Sequence, residues 1–374
     1  MKSKLFTKML VRNGAIFLVL VLVLSFLLAG CSSPQVTTVT STTTQATTTT
    51  SAVTTTMTTT TAQLQIKLKF YTNFPPTGGP NKEAQILADI ISKKTNGRVE
   101  ITVYPAEQLG PNSAVLDLLK NGITDMAALG LPPFPTLFPL ENGQELPLAV
   151  IPEWANAMNV RNQLSLGDYG QAFTKNNLKF LSWNIQRPMQ LFLTKKVSKA
   201  EDFKGLKVRS ANPSFLQPFT EFGITPVAMP LGQVYESLQR GVIDAVVNAP
   251  EQCVASKWYE VTKFYCTQNL GYGSTAMVMS KGVWDNLPSD IRAAFSQAIP
   301  EWLPQAVAFY KDIEVQAVTT MKANNVEVYA LPPSEAARWI QLKAPVVDAW
   351  VAKTEAPGVP AKAMVEAIRK SAPK

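Results

Sequence analysis

A guanidinium is the side chain in this sequence best suited to hold a small anion, and Arg209 is the best placed of its arginines. It closes a short predicted strand, LKVRS, and a helix is expected straight after it, with Asn212 as N-cap and Pro213 at the first helical position. Free backbone N–H groups and the positive end of a helix dipole converge at such a start, so a fixed cation beside it suits an anion. A guanidinium can also make two parallel charge-assisted hydrogen bonds, which orient a carboxylate as well as attract it. The alternative is a strand-end arginine paired with a surface acid such as Glu221 or Asp202. Further along, Gln233 to Arg240 reads as a helix stopped by Gly241, then an apolar strand from Val242 to Val247 that ends at Asn248. In open α/β sheets ligands sit at the carboxyl ends of strands, and Arg209 and Asn248 both occupy such ends. Asn248 offers a donor and an acceptor to a hydroxyl, keto or second carboxyl group; its plainer reading is a turn asparagine.

Other chemistry finds little support. The chain has no histidine, which removes His-based triads, His-ligated metals and histidine proton relays together. It has no P-loop and no G-x-G-x-x-G after a strand, so no cofactor is expected. Gly271-Tyr272-Gly273-Ser274 has the wrong spacing for a nucleophile elbow. Carboxylate-only catalysis stays open in principle, but no acidic pair stands out, and the chain is not expected to be an enzyme. The formal net charge is +8, half of it from four N-terminal cations. Lysines and arginines are otherwise scattered, with no basic run interleaved with aromatics, so nucleic-acid binding is rejected.

The N-terminus reads as an export signal. Lys2, Lys4, Lys8 and Arg12 precede an apolar run from Ala15 to Leu28, broken only by Ser25 and short for a membrane span. It ends in Leu28-Ala29-Gly30-Cys31, the pattern of a bacterial lipobox, so residues 1–30 are expected to be removed and Cys31 to carry a lipid. An ordinary signal peptide or an uncleaved anchor is the alternative. Residues 31–63 are threonine-rich and nearly free of charge and large apolar groups. They cannot bury enough surface to offset ordering entropy and are expected to form a disordered tether with an r.m.s. span of roughly 30 Å. Of the three cysteines, Cys253 and Cys266 remain after Cys31. The even count in an oxidising compartment suggests a bridge, worth on the order of 3 kcal/mol for so short a loop. A single helix from Cys253 to Phe264 would hold the thiols too far apart, and both readings stay open.

The rest of the chain exceeds the size that one core usually serves, so two lobes are expected. Leu64 to Tyr71 alternates as a first strand, and Asn73 to Pro80 forms a loop at its carboxyl end. Ala84, Leu87, Ala88 and Ile91 have helical spacing up to the stop at Gly97. Val99 to Val103, a helix from Ser113 to Lys120 and a strand from Ile123 to Leu129 complete a βαβαβ run, which implies parallel pairing. A proline-rich stretch, Leu131 to Pro147, should border the cleft. Expected next are a helix over Glu153 to Leu166, a strand over Leu178 to Trp183, and a path through Arg187 to Thr194 into the second lobe, whose βαβ core runs from Phe203 to Val247. Ser274 to Ser280 should return to the first lobe. A long helical region opens at Pro288-Ser289-Asp290 and runs toward Asn324, before a short strand, Val326 to Tyr329, and two C-terminal helices, Pro333 to Val351 and Pro360 to Lys370.

Three segments together carry a family resemblance. They are Gly205-Leu206-Lys207-Val208-Arg209, then Val234-Tyr235 with Leu238-Gln239, Gly241 and Asp244, then Asn248-Ala249-Pro250, with Arg187 upstream in NIQRPMQLFLTKK. The chain resembles the extracytoplasmic solute-binding subunit of TRAP transporters over Leu64 to the C-terminus. One departure is Val247, where that family often has an acid. The resemblance implies an α/β, two-lobe, periplasmic-binding-protein-like fold of type II character, each lobe a mostly parallel sheet flanked by helices, with one long helix spanning both. It implies lobe I at 64–185 plus about 274–313 and lobe II at 186–273 plus about 314–374. It also implies capture of an organic acid by hinge closure and delivery to TRAP permease membrane subunits, from a lipid anchor at Cys31 outside the cytoplasm. A similar two-lobe protein serving an ABC importer or a chemoreceptor is the alternative. The expected ligand-binding residues are Arg209, Arg187 and Asn248, with Met229 and Trp183 as apolar walls and Tyr71, Asn73, Gln233 and Glu251 from their positions near strand ends.

Overall fold

Two mixed sheets organise the protein, and each is parallel except for one strand. The computed structural model describes residues 65–146, 161–162, 165–167, 170–185, 187–273, 275–357 and 359–371. Ala62–Lys374 form one compact unit. The expected signal segment, the threonine-rich tether and most of the expected helix from Glu153 to Leu166 lie outside the described residues.

Along the chain, β1 (Ile66–Tyr71), α1 (Gly79–Lys94), β2 (Val99–Tyr104), α2 (Val115–Lys120), β3 (Met126–Leu129), α3 (Gln171–Lys175) and β4 (Leu178–Trp183) build the first lobe. The chain then crosses to β5 (Arg187–Leu193), β6 (Lys207–Arg209), β7 (Thr225–Val227), α4 (Val234–Gln239), β8 (Ala245–Asn248), α5 (Pro250–Ala255) and β9 (Phe264–Gly273). It returns through β10 (Ala276–Ser280) and α6 (Lys281–Asn286) to α7 (Ser289–Ala323), and ends with β11 (Glu327–Tyr329), α8 (Pro333–Thr354) and α9 (Ala361–Ser371). The first sheet has the order β2-β1-β3-β10-β4 and the second β11-β9-β5-β8-β6-β7.

β10 pairs antiparallel with both its neighbours, and so does β5. The reason is topological. Each is the strand that has just entered from the other lobe, through the end where its new neighbours finish. It therefore starts at the cleft and must run away from it. The expected βαβαβ run is present, with β1 parallel to β2 and β3; the antiparallel insertion of β10 was not foreseen.

One apolar core fills the first lobe, around Phe70, Leu87, Leu129, Phe180 and Trp302. The second sheet is covered on its two faces by separate cores, one around Phe203, Phe219 and Trp339 and one around Phe192, Trp258 and Met321. The 35-residue helix α7, about 52 Å long at 1.5 Å per residue, joins them. Trp302, Ala306 and Tyr310 lie in the first-lobe core, while Ala317 and Met321 lie in the second. The C-terminal helix α9 packs Met364, Val365 and Ile368 against Leu140 and Leu146.

Several local readings change. The helix expected after Arg209 is a single 3-10 turn, Pro213–Phe215, though Asn212 caps it as foreseen, accepting from the Ser214 N–H. The strand placed at Val242 begins only at Ala245, because Val242 and Ile243 close the turn after α4 through hydrogen bonds to Ser237. The segment from Cys253 to Phe264 is not one helix: α5 stops at Ala255, and the ten-residue strand β9, which sequence reading missed, starts at Phe264. Both cysteines are buried free thiols.

The lobes meet around α1 and α7. Trp302 donates its indole N–H to the Glu83 backbone carbonyl at 3.1 Å, and the Tyr310 hydroxyl donates to Glu83 Oε1 at 2.7 Å. This approach needs Gly79 to lack a side chain, since a Cβ there would lie 2.2 Å from Tyr310 Oη. In an open helix position Gly→Ala would stabilise by about 0.4–1 kcal/mol. Gly79→Ala is instead expected to destabilise by about 1–3 kcal/mol through overpacking, seen as a lower Tm in thermal unfolding. A raised Tm would show that Tyr310 yields freely.

Candidate functional site

Several strand ends contribute residues to one cleft. Asn73 and Phe74 follow β1, Gly130, Pro132 and Pro133 follow β3, Arg209 to Asn212 close β6, and Val247 and Asn248 close β8. The reversed strand β5 brings its first residue, Arg187, to the same place, and Thr275 precedes β10. The cleft encloses about 110 Å³, lined also by Met189, Phe215, Leu231 and Asn112.

Arg209 is 5% exposed. Its Nε and Nη2 both donate to the Met229 carbonyl, at 3.3 and 3.0 Å. Nη1 is buried with no hydrogen-bond partner among the described residues, and no described carboxylate forms an ion pair with this guanidinium. The surface-pair reading therefore fails. Asp202 instead accepts from the backbone N–H groups of Ser198 and Lys199, and Glu221 is exposed. Burial pushes the Arg209 pKa down to about 10, since water is excluded and nothing replaces it. Beside it, Asn248 Oδ1 accepts from the Ala249 N–H at 2.8 Å. That contact orients the amide and leaves its NH₂ group as the end for a ligand. Two donors and no acid thus meet at the ends of β6 and β8, whose register pairs Arg209 with Val246.

Arg187 is equally buried but already paired. Its Nη1 lies 2.9 Å from Glu251 Oε1, and its guanidinium sits 5.2 Å from the centre of the Phe74 ring. Burial opposes its charge, but Tyr310, Glu251 and Glu83 hold its pKa above the ordinary value. Glu83 accepts from the Ile185 backbone N–H at 3.0 Å on the segment joining β4 to β5. Asn184 and Thr275 tie the two strand connections together, by Asn184 N–H to Thr275 O and Thr275 Oγ1 to Asn184 Oδ1, each at 2.8 Å. A charged cluster of Glu83, Arg187, Glu251 and Glu314 therefore sits where the chain passes between lobes.

Of the residues expected to bind, Arg209, Arg187, Asn248 and Asn73 line the cleft. Met229 reaches it only through the carbonyl that holds Arg209. Glu251 serves Arg187 from the start of α5 rather than the open space. Trp183 is fully buried against Phe173 and Phe180, with its indole N–H on Ser165 Oγ at 2.8 Å. Tyr71 is fully buried in the first-lobe core, and burial raises its hydroxyl pKa. Gln233 is exposed in the turn before α4. Sequence reading missed Phe74, Asn112, Met189, Phe215, Leu231 and Thr275, which carry no local signal. It also missed Glu83, whose signal was present: an acid four residues before Leu87, in the buried stripe of α1.

Comparison with known proteins agrees with this architecture. The sequence profile of DctP, described as bacterial extracellular solute-binding protein, family 7, matches residues 72–354. The chain is 28% identical over 299 residues to the C4-dicarboxylate-binding periplasmic protein DctP of Rhodobacter capsulatus, covering 76% of this chain and 86% of that protein. It is 24% identical over 271 residues to the 2,3-diketo-L-gulonate-binding periplasmic protein YiaO of Escherichia coli K12, covering 70% and 80%. Among solved structures, a TRAP solute binding protein from Rhodoferax ferrireducens T118 in complex with copurified benzoate superposes with a TM-score of 0.75 at 22% identity, covering 82% of this chain and 97% of that one.

The cluster makes stability depend on pH. Burial raises the Glu83 carboxyl to about 7, against donors from Tyr310 and Ile185. Burial and then the charge of Glu251 raise Glu314 to about 7. A carboxyl whose folded pKa exceeds its unfolded value stabilises the fold fully below about 4.5 and loses that contribution as pH rises through about 7. The Tm is expected to fall between pH 5 and pH 8, and Glu314→Gln, which cannot ionise, should fall less steeply. An unchanged slope in thermal melts of the variant would refute this assignment.

Proposed function

The chain belongs to the DctP family, bacterial extracellular solute-binding protein family 7, and on that premise we propose that it captures an organic acid anion and delivers it to a TRAP-type secondary transporter. The observation that carries the reading is the Arg209 guanidinium, buried beside a cleft with Nη1 unpartnered. A buried cation without a counter-ion is costly, and a ligand carboxylate relieves that cost by pairing with it. The ligands named for similar proteins, C4-dicarboxylate, 2,3-diketo-L-gulonate and benzoate, all carry a carboxylate, which supports the same reading.

Capture proceeds by closure of two lobes, 64–185 with about 274–313 and 186–273 with about 314–374. The anion first meets Arg209 and Asn248 on the second lobe. The loops at Asn73 and at Pro132 to Pro135 then close over it and exclude water, which strengthens the arginine contact as the local dielectric falls. Arg187 borders the same space and, held by Glu251, keeps its position while the lobes move. The closed form docks on the membrane subunits, and a lipid on Cys31 with the threonine-rich tether raises the local concentration for that encounter. The lipobox sequence Leu28-Ala29-Gly30-Cys31 supports the anchor.

Truncating one side of a buried charge pair costs about 2–5 kcal/mol. Arg209→Gln is therefore expected to weaken binding of the cognate acid by about 30-fold or more in isothermal titration; unchanged affinity would sink the reading. Mass spectrometry of the mature chain should find an N-terminal diacylglyceryl-cysteine at residue 31, and a mature N-terminus elsewhere would remove the anchor.

A further inference from the structure

Resting on the capture reading, we infer that the ligand is a monocarboxylate whose body is a single apolar group about the size of one ring, rather than a dicarboxylate or a sugar acid. Charge is the first observation. Among the described residues, Arg187 and Arg209 are the charged side chains lining the cleft, and Glu251 already neutralises Arg187. One uncompensated cation remains, enough for one carboxylate. A second would enter a dry cleft without a partner, at a cost that a single arginine does not offset.

The walls are the second observation. Phe74, Met189, Phe215, Leu231 and Val247 line the same space. Two of them are seated by glycines on β9. A Cβ at Gly271 would lie 2.4 Å from the Phe215 ring, and one at Gly273 would lie 2.2 Å from the Met189 methyl. These walls are thus held in position by the backbone beneath them and are not loose side chains. Val247 completes the apolar surface.

The neutral polar groups are the third observation, because several are already engaged, leaving few beyond the Asn248 NH₂ group and Asn73. Ser210 Oγ donates to the Asn212 carbonyl at 2.7 Å, and Asn212 Oδ1 accepts from the Ser214 N–H and hydroxyl. Thr275 Oγ1 donates to Asn184, and Asn248 Oδ1 accepts from Ala249. Asn112 Oδ1 is buried without a partner among the described residues and can accept from one ligand hydroxyl. The many hydroxyls of a sugar acid would go unmatched, and unmatched buried polar groups are strongly rejected. Volume agrees: about 110 Å³ is of the same order as the roughly 150 Å³ of an apolar cavity that takes one benzene molecule.

The test is isothermal titration of the purified protein with benzoate, phenylacetate and 4-methylpentanoate against succinate and D-glucuronate, repeated with Met189→Gln. At least one of the three monocarboxylates is expected to bind about tenfold or more tighter than succinate and D-glucuronate. Met189→Gln should narrow that gap by roughly tenfold, in line with the discrimination an apolar pocket gives per methylene-sized change. If succinate or D-glucuronate binds as tightly as the three or tighter, the assignment of ligand class is overturned while capture of an acid stands. If none of the five binds, capture of an acid at Arg209 is itself overturned. A Met189→Gln variant that loses all acids equally would show that Met189 supports the fold and does not select the ligand.

Discussion

A cation taken out of water without a counter-ion is the constraint on which this cleft depends. Arg209 makes two hydrogen bonds to one carbonyl, and no described acid pairs with it. Such an arrangement is tolerable only where a rigid frame holds it and a ligand completes it. The frame is the parallel set β7, β6 and β8, which fixes the guanidinium at a strand end and brings Asn248 beside it. Arg187 is the contrast. It is as deeply buried, but Glu251 offsets its charge within the protein, although Arg187 Nε has no hydrogen-bond partner among the described residues. Both line the same space and differ in charge balance: Arg187 has an acid beside it, and Arg209 has none among the described residues.

Topology explains why the two arginines meet. The chain passes between the two sheets three times, and at the two crossings made beside the cleft, β4 to β5 and β9 to β10, the entering strand runs against its neighbours. Arg187 reaches the cleft as the first residue of β5, and Thr275 reaches it just before β10. The same crossings concentrate charge at the junction. Glu83 from α1, Glu251 from α5 and Glu314 from α7 gather at this junction, and burial raises the pKa of both Glu83 and Glu314 to about 7, so that each is about half protonated at neutral pH.

Much of the fold was legible in the sequence because periodicity reports local burial directly. The stripe Ala84, Leu87, Ala88 and Ile91 gave α1, alternation gave β1 and β2, and Asn212 and Gly241 marked the ends they occupy. β9 was not legible. Its sequence, FYCTQNLGYG, holds two glycines and no sustained alternation, and it is a strand because β5 and β11 pair with it across a register shift. The 3-10 turn after Arg209 was taken for a longer helix, since a cap and a proline specify how a helix starts and not how far it runs.

The site divides in the same way. By itself the sequence determined the chemistry on offer: arginines and an asparagine at strand ends, no histidine, no cofactor motif, and Val247 where an acid would have been polar. Only the tertiary structure decided which of these groups is open to a ligand. Arg187 and Glu251 are 64 residues apart and neutralise each other; Arg209 is held by a carbonyl 20 residues away and by no acid. Trp183 and Tyr71 turned into the core because the strand pleat points them there. Residue type and spacing set what a side chain can do, but charge balance is a sum over neighbours brought together by folding, and that sum is absent from any local stretch of chain.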